Sequence, residues 1–224
     1  DPRLALRCRV AASKLRTVAP DCRGNKIAAA MQILGGVGDA RKLNDEIMRN
    51  RPDHGISTFY GYVVLLARAE AGDVAGALDV IRSYWGGMLV CGATTFWEAF
   101  DPAETGAEKY AMYGRRYGKS LCHAWGASPV YLLAAYVVGV MPKEGGFVCR
   151  PKLSVLPPFE FSCPIAGGKI KISYDGKKVL VEADGCNGEL FFEKGSGFEE
   201  GSIEIESGKK YSFERVKVKV CRSV

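Results

Sequence analysis

The chain has 224 residues, 47% of them hydrophobic and 25% charged, enough for one large domain or two of roughly 100 residues each, and its composition is that of an ordinary globular protein. No apolar run approaches the ~18 residues needed to cross a bilayer, and no charged-then-apolar signal segment opens the chain, which begins on Asp1 rather than Met, as a processed or truncated product would. The net charge of +6 is spread out, with 17 Lys and Arg against 13 Asp and Glu in 1–142 and 14 against 12 in 143–224; without a basic block interleaved with aromatics, the footprint of nucleic-acid binding is missing.

Before Pro142 apolar residues recur at helical spacing. Residues 2–17 read as a helix, and 24–34 as a second one rich in good helix formers, stopped by Gly35-Gly36. Helices follow over 39–50, with Leu43 and Ile47 at i and i+4, over 57–71, and over 73–85, where Asp73 serves as N-cap and Gly86-Gly87 follow. A long helix is expected over 120–140, apolar on nearly all faces and therefore buried on all sides.

After Pro142 the period becomes two. Lys169-Ile-Lys-Ile-Ser-Tyr alternates, Asp175-Gly176 is a two-residue hairpin turn, and Lys178-Val-Leu-Val-Glu-Ala returns. Glu189-Leu-Phe-Phe-Glu, Ser202-Ile-Glu-Ile-Glu and a strand over 211–220 continue the pattern, which indicates a small antiparallel β-sandwich. Pro142, Gly145-Gly146 and Pro151 punctuate the boundary, so the expected domains are 1–142 and 143–224. Paired helices of this kind stack as a solenoid or close into a toroid of six hairpins, which needs roughly twelve helices. Residues 1–142 supply only half of that, so a toroid implies a larger protein.

The eight cysteines include no C-x-x-C pair, and the two histidines are His54 and His123. Metal sites normally show close ligand pairs, so none is expected; most of these cysteines read as buried thiols. The glycines at 35, 36 and 38 follow no strand, so a dinucleotide loop is not supported and no cofactor is expected.

Two clusters stand out. In Gly92-Ala-Thr-Thr-Phe-Trp-Glu-Ala-Phe-Asp, Glu98 sits between Trp97 and Phe100. An apolar wall there would raise its pKa, which suits a general acid or base, while the aromatics offer faces for a sugar ring; the alternative is a capping or salt-bridged Glu. In Ser120-Leu-Cys-His-Ala-Trp-Gly-Ala-Ser-Pro, His123 and Trp125 share one end of the last helix. His123 is there to meet a sugar hydroxyl or water, or is a core histidine. Tyr84-Trp85 reads as core or as a rim of the same cleft.

These residues, followed by a Tyr-rich helix, Gly139-Val-Met-Pro and strands, resemble the C-terminal part of the inverting α-L-rhamnosidases. The resemblance covers most of 20–224 and rests on Thr-Thr-x-Trp-Glu at Thr94, Thr95, Trp97 and Glu98 and on Ser-x-x-His at Ser120 and His123. It implies an (α/α)6-barrel catalytic domain followed by a C-terminal β-sandwich, with Glu98 as the general base and His123 lining the rhamnose subsite; Trp85, Trp97 and Trp125 are the further substrate-binding candidates. The general acid, a Glu, is implied far upstream, and no residue of this chain matches its motif. The chain alone is then expected to be inactive, to expose apolar faces, and to associate unless its missing N-terminal part accompanies it. The implied partner is a rhamnose-containing glycoside or polysaccharide, and the implied compartment periplasmic or secreted, with the cytoplasm left open. Another (α/α)6 carbohydrate enzyme, or a non-catalytic carbohydrate-binding or assembly module built on the β-sandwich, are the alternatives.

Overall fold

A computed structural model describes residues 1–165 and 167–216. Helices come first and two antiparallel-rich sheets second, in two compact units, Asp1–Leu132 and Leu133–Val224.

In the first unit, helix α1 (Pro2–Arg16) is capped by Asp1, whose carboxylate accepts from the backbone N–H of Arg3 at 2.9 Å, and it buries none of its residues. Helix α2 (Lys26–Leu34) starts at the Asn25 cap, which accepts from the Ala28 N–H at 3.0 Å. Its inner face, Ala29, Ala30 and Ile33, follows the helical period and packs with Val64 and Ala67 of α4 (Gly61–Glu70) and with Met48. Helix α3 (Ala40–Leu43) leads into a π-helical turn, Asn44–Met48. Helix α5 (Val74–Val80) begins at Asp73, whose side chain accepts from the Gly76 N–H as expected.

The helix expected to stop before Gly86-Gly87 does not stop. It passes through a π turn, Ile81–Trp85, and continues as α6 (Gly86–Val90). Gly87 is there for close approach: a Cβ at that position would sit 2.9 Å from the Phe100 ring. The long helix expected over 120–140 is also corrected. It is a 3-10 turn, Ala124–Ala127, then α7 (Ser128–Leu132) and a π turn, Leu133–Val137. It is not buried on all sides, since Val130 and Tyr131 are exposed.

The second unit is a sandwich. One sheet has the order β1 (Val140–Lys143), β2 (Gly146–Cys149), β6 (Asn187–Phe192), β7 (Gly201–Ile205), and the other β3 (Phe159–Ile165), β4 (Gly168–Tyr174), β5 (Lys178–Asp184), β8 (Lys210–Glu214). Phe147, Leu190 and Ile205 from the first meet Ile170, Ile172, Val179 and Val181 from the second in one apolar core, as alternation requires. The hairpin turn forms one residue later than expected, on Gly176-Lys177: the Asp175 N–H donates to the Lys178 carbonyl at 3.2 Å, Gly176 has φ 96°, and the Asp175 carboxylate accepts from the N–H groups of Lys177 and Lys178 at 2.8 and 2.7 Å. One pairing departs from the antiparallel expectation. β2 and β6 run parallel, because the chain builds β3–β5 in the other sheet before returning beside β2. The punctuated stretch after Met141 is itself strand, with Pro142 and Pro164 confined to the edge strands β1 and β3.

Cys22, Cys149 and Cys186 are buried thiols; Cys91 and Cys163 are half-buried, and Cys8 and Cys122 are exposed. Cys221 and the second half of the strand expected over 211–220 lie outside the described residues. Among the described residues no helix is long and apolar enough to cross a membrane.

Candidate active site

The two clusters meet because their backbones run side by side. Thr95 Oγ1 donates to the Leu121 carbonyl, the His123 N–H donates to the Phe96 carbonyl at 2.8 Å, and the Glu98 N–H donates to the Ser120 carbonyl at 2.9 Å. The Ser120 N–H returns to Oε2 of Glu98 at 3.0 Å. The Glu98 carbonyl accepts from Thr58 Oγ1 and, at 3.0 Å, from the Trp125 indole N–H. Backbone and side chain of Glu98 are thus held by two other segments, at Thr58 and over 120–125.

The Glu98 residue is 7% exposed, yet its pKa moves opposite to the expectation of an apolar wall raising it. The Tyr113 hydroxyl donates to Oε1 at 2.5 Å and, with the Ser120 N–H, holds the carboxyl below its ordinary range against the opposing effect of burial. Nearby positive charge, on His123 when protonated and on Lys119, acts in the same direction. Buried Lys119 is itself paired with Glu104 at 3.1 Å. Glu98 is therefore a carboxylate at neutral pH, fit to accept a proton.

His123 and Trp125 stand beside it, their rings 4.1 Å apart at centroids, with Phe59 on Trp125 at 5.4 Å. Trp125 is 43% exposed. The other two candidate tryptophans lie in the interior. Trp97 is buried against Tyr110 and Phe100, and Trp85 is buried with its indole N–H donating to the Gly126 carbonyl at 2.7 Å. Trp85 also edges an apolar groove of about 500 Å³, whose lining includes Thr94, Thr95 and Phe96 but not Glu98. Glu98, His123 and Trp125 thus come together, while Trp85 and Trp97 support them from within. Tyr113 has no counterpart among the sequence candidates; the Tyr113-Gly114 pair is a turn signal, but nothing local says that the turn ends on Glu98.

Gly126 sets how closely the two segments approach. A Cβ there would lie 2.7 Å from the Trp97 carbonyl oxygen and 3.3 Å from Cβ of Phe96. Gly126→Ala is expected to cost ~1–3 kcal/mol through overpacking, measured as a lower urea midpoint with an unchanged m-value. A midpoint equal to wild type would show that the two segments part without strain.

Among the described residues no group of three or more His, Cys, Asp or Glu is placed to hold a metal ion. No family model matches the chain, and no curated protein matches it. Among solved structures it is similar to a GH78 family rhamnosidase of Bacillus sp. GL1, with a TM-score of 0.58 and 22% identity over 77% of this chain and 19% of that one. It is also similar to the α-L-rhamnosidase of Aspergillus terreus, with a TM-score of 0.62 and 16% identity over 87% of this chain and 24% of that one. The α-L-rhamnosidase of Dictyoglomus thermophilum matches with a TM-score of 0.58 and 15% identity over 86% of this chain and 25% of that one. The chain therefore spans 19% to 25% of the length of these three structures. Across most of its length, this chain has the fold of a part of the α-L-rhamnosidases.

Proposed function

We propose that this chain is the C-terminal part of an α-L-rhamnosidase-like glycoside hydrolase, in which Glu98 is the general base of an inverting reaction. The observation that carries the reading is a buried, ionised carboxylate, held by Tyr113 and Ser120, beside the His123–Trp125 pair. Glu98 takes a proton from water, and the water oxygen bonds to the anomeric carbon on the face opposite the glycosidic oxygen. The bond to that oxygen breaks, and an acid outside this chain protonates it; base and acid of inverting enzymes stand ~6.5–9.5 Å apart to admit the water. His123 and the exposed part of Trp125 meet the sugar, the indole against its C–H surface.

In this reading the helices form half of an (α/α)6 barrel, and the chain by itself is inactive. Apolar side chains left exposed on separate helices, Leu4, Leu6 and Val10 on α1, Leu89 and Val90 on α6, and Val130 on α7, support a larger helical assembly around them. The greater length of the similar structures supports it as well.

The test is hydrolysis of an aryl α-L-rhamnoside by the full-length protein, with the sugar product followed by proton NMR. The expected result is release of the aryl group and first appearance of β-L-rhamnose. First appearance of the α-anomer would overturn inversion, and no release would overturn the substrate.

A further inference from the structure

Tyr113 is 72% exposed on a polar loop, and nothing about its own burial explains its conformation. Its φ is 54°, in the left-handed region that a bulky residue rarely occupies, and Gly114 follows at φ 72°. Met112 and Arg115 close the reversal, the Met112 N–H donating to the Arg115 carbonyl at 3.0 Å and the Arg115 N–H to the Met112 carbonyl at 2.9 Å. Two left-handed central residues are what such a two-residue hairpin demands, and Tyr is an unusual choice for one of them. Strain of this kind persists where the surroundings over-determine it. Here the hairpin is tied at its base, the Lys119 N–H donating to the Tyr110 carbonyl at 3.1 Å, and Tyr110 rests on Trp97, the neighbour of Glu98. The same excursion of chain therefore delivers both donors to one carboxylate, Tyr113 to Oε1 from the hairpin tip and Ser120 to Oε2 from its exit.

We propose that Tyr113 is a positioning residue for Glu98: from the tip of the 110–119 hairpin its phenol pins Oε1, fixing which carboxylate lone pairs are left to accept a proton from the attacking water. The proposal rests on the reading of Glu98 as the base. A carboxylate oxygen has two lone-pair directions, so one donor on each oxygen leaves one acceptor position on each. Without the phenol only the Ser120 N–H holds the carboxylate, so its direction is less fixed and its charged form less favoured.

The experiment is the pH dependence of kcat and KM for an aryl α-L-rhamnoside in the full-length protein, comparing wild type, Tyr113→Phe, Tyr113→Gly and Glu98→Gln. Tyr113→Phe keeps the ring and removes the donor; Tyr113→Gly removes the donor and relieves the left-handed strain, so the two separate folding from positioning. Both are expected to lower kcat about tenfold, as the loss of one hydrogen bond to a charged group does, with KM within twofold of wild type. Both are expected to move the acid limb of the profile to higher pH and to leave the alkaline limb, set by the general acid, in place. If both variants superpose on wild type while Glu98→Gln is inactive, the positioning role is wrong and the base stands. If KM rises and the acid limb stays, Tyr113 binds sugar instead and the proposal is overturned. If Glu98→Gln keeps full activity, the base reading itself falls and the proposal falls with it.

Discussion

Glu98→Gln in the full-length protein is expected to lower turnover of an aryl α-L-rhamnoside by about 10²–10⁴-fold, the usual worth of a positioned general base. The amide is isosteric: its oxygen can accept from the Ser120 N–H while its NH2 donates to the Tyr113 phenol oxygen, whose O–H turns away, so the fold is expected to survive. What is lost is the basic oxygen. The sign of the pH dependence follows from the same contacts. Hydrogen bonds from Tyr113 and Ser120 hold the Glu98 carboxyl below its ordinary range, so the base is expected to be fully ionised, and the acid limb of the profile complete, above the ordinary Glu pKa of about 4.3. Activity falls on that limb only as pH drops through the lower folded value. A variant as active as wild type, measured at saturating substrate, would make Glu98 a structural link between the two segments.

Asp73→Ala is expected to destabilise the helical unit by ~3–5 kcal/mol, because it strands a buried charge. Asp73 receives Arg68 at 2.5 Å, Arg49 at 3.2 Å and Asn44 at 3.1 Å, and caps α5 through the Gly76 N–H at 3.2 Å. The Arg68 side chain is 3% exposed and also donates to the Met48 carbonyl at 3.1 Å, so removing its counter-charge leaves a guanidinium with neither water nor anion. For a chain of this size such a loss corresponds to a fall in Tm of roughly 6–20 °C, read by thermal melting at neutral pH. Burial alone would raise the Asp73 pKa, but the hydrogen bonds from Arg49 and Asn44 and the charge of Arg68 outweigh it and hold it low. Its contribution is therefore complete above the ordinary Asp pKa of about 3.9 and fades as pH drops through the folded value. Wild type and variant are expected to converge in Tm as the medium becomes acidic. A Tm difference within 2 °C at neutral pH would show that the network contributes little net stability.

The elements read most directly from sequence are those whose cause is local. The Asp73 cap, the alternation of β4 and β5 and the turn at Asp175-Gly176 each depend on residues within a few positions of one another. Local rules misplace an element where a distant side chain intervenes. Gly86-Gly87 reads as a helix stop, but Phe100 fills the space that Gly87 leaves and the helix continues. Strands β1 to β3 are short or carry proline, and their pairing with β6 and β4 comes from chain that arrives later, so periodicity alone does not reveal them.

The sequence by itself determined the order of helices before strands and the two clusters around Glu98 and His123, because residue type and spacing are written along the chain. The tertiary structure decided what those residues are. It left Trp125 exposed and buried Trp85 and Trp97, although all three are the same side chain in similar company. It set the charge of Glu98 against the expectation from its apolar neighbours, since the deciding donors stand 15 and 22 residues away in sequence. A pKa reports the field of whatever the fold brings within hydrogen-bond reach, and in this chain that field is assembled by one hairpin and one returning strand of backbone.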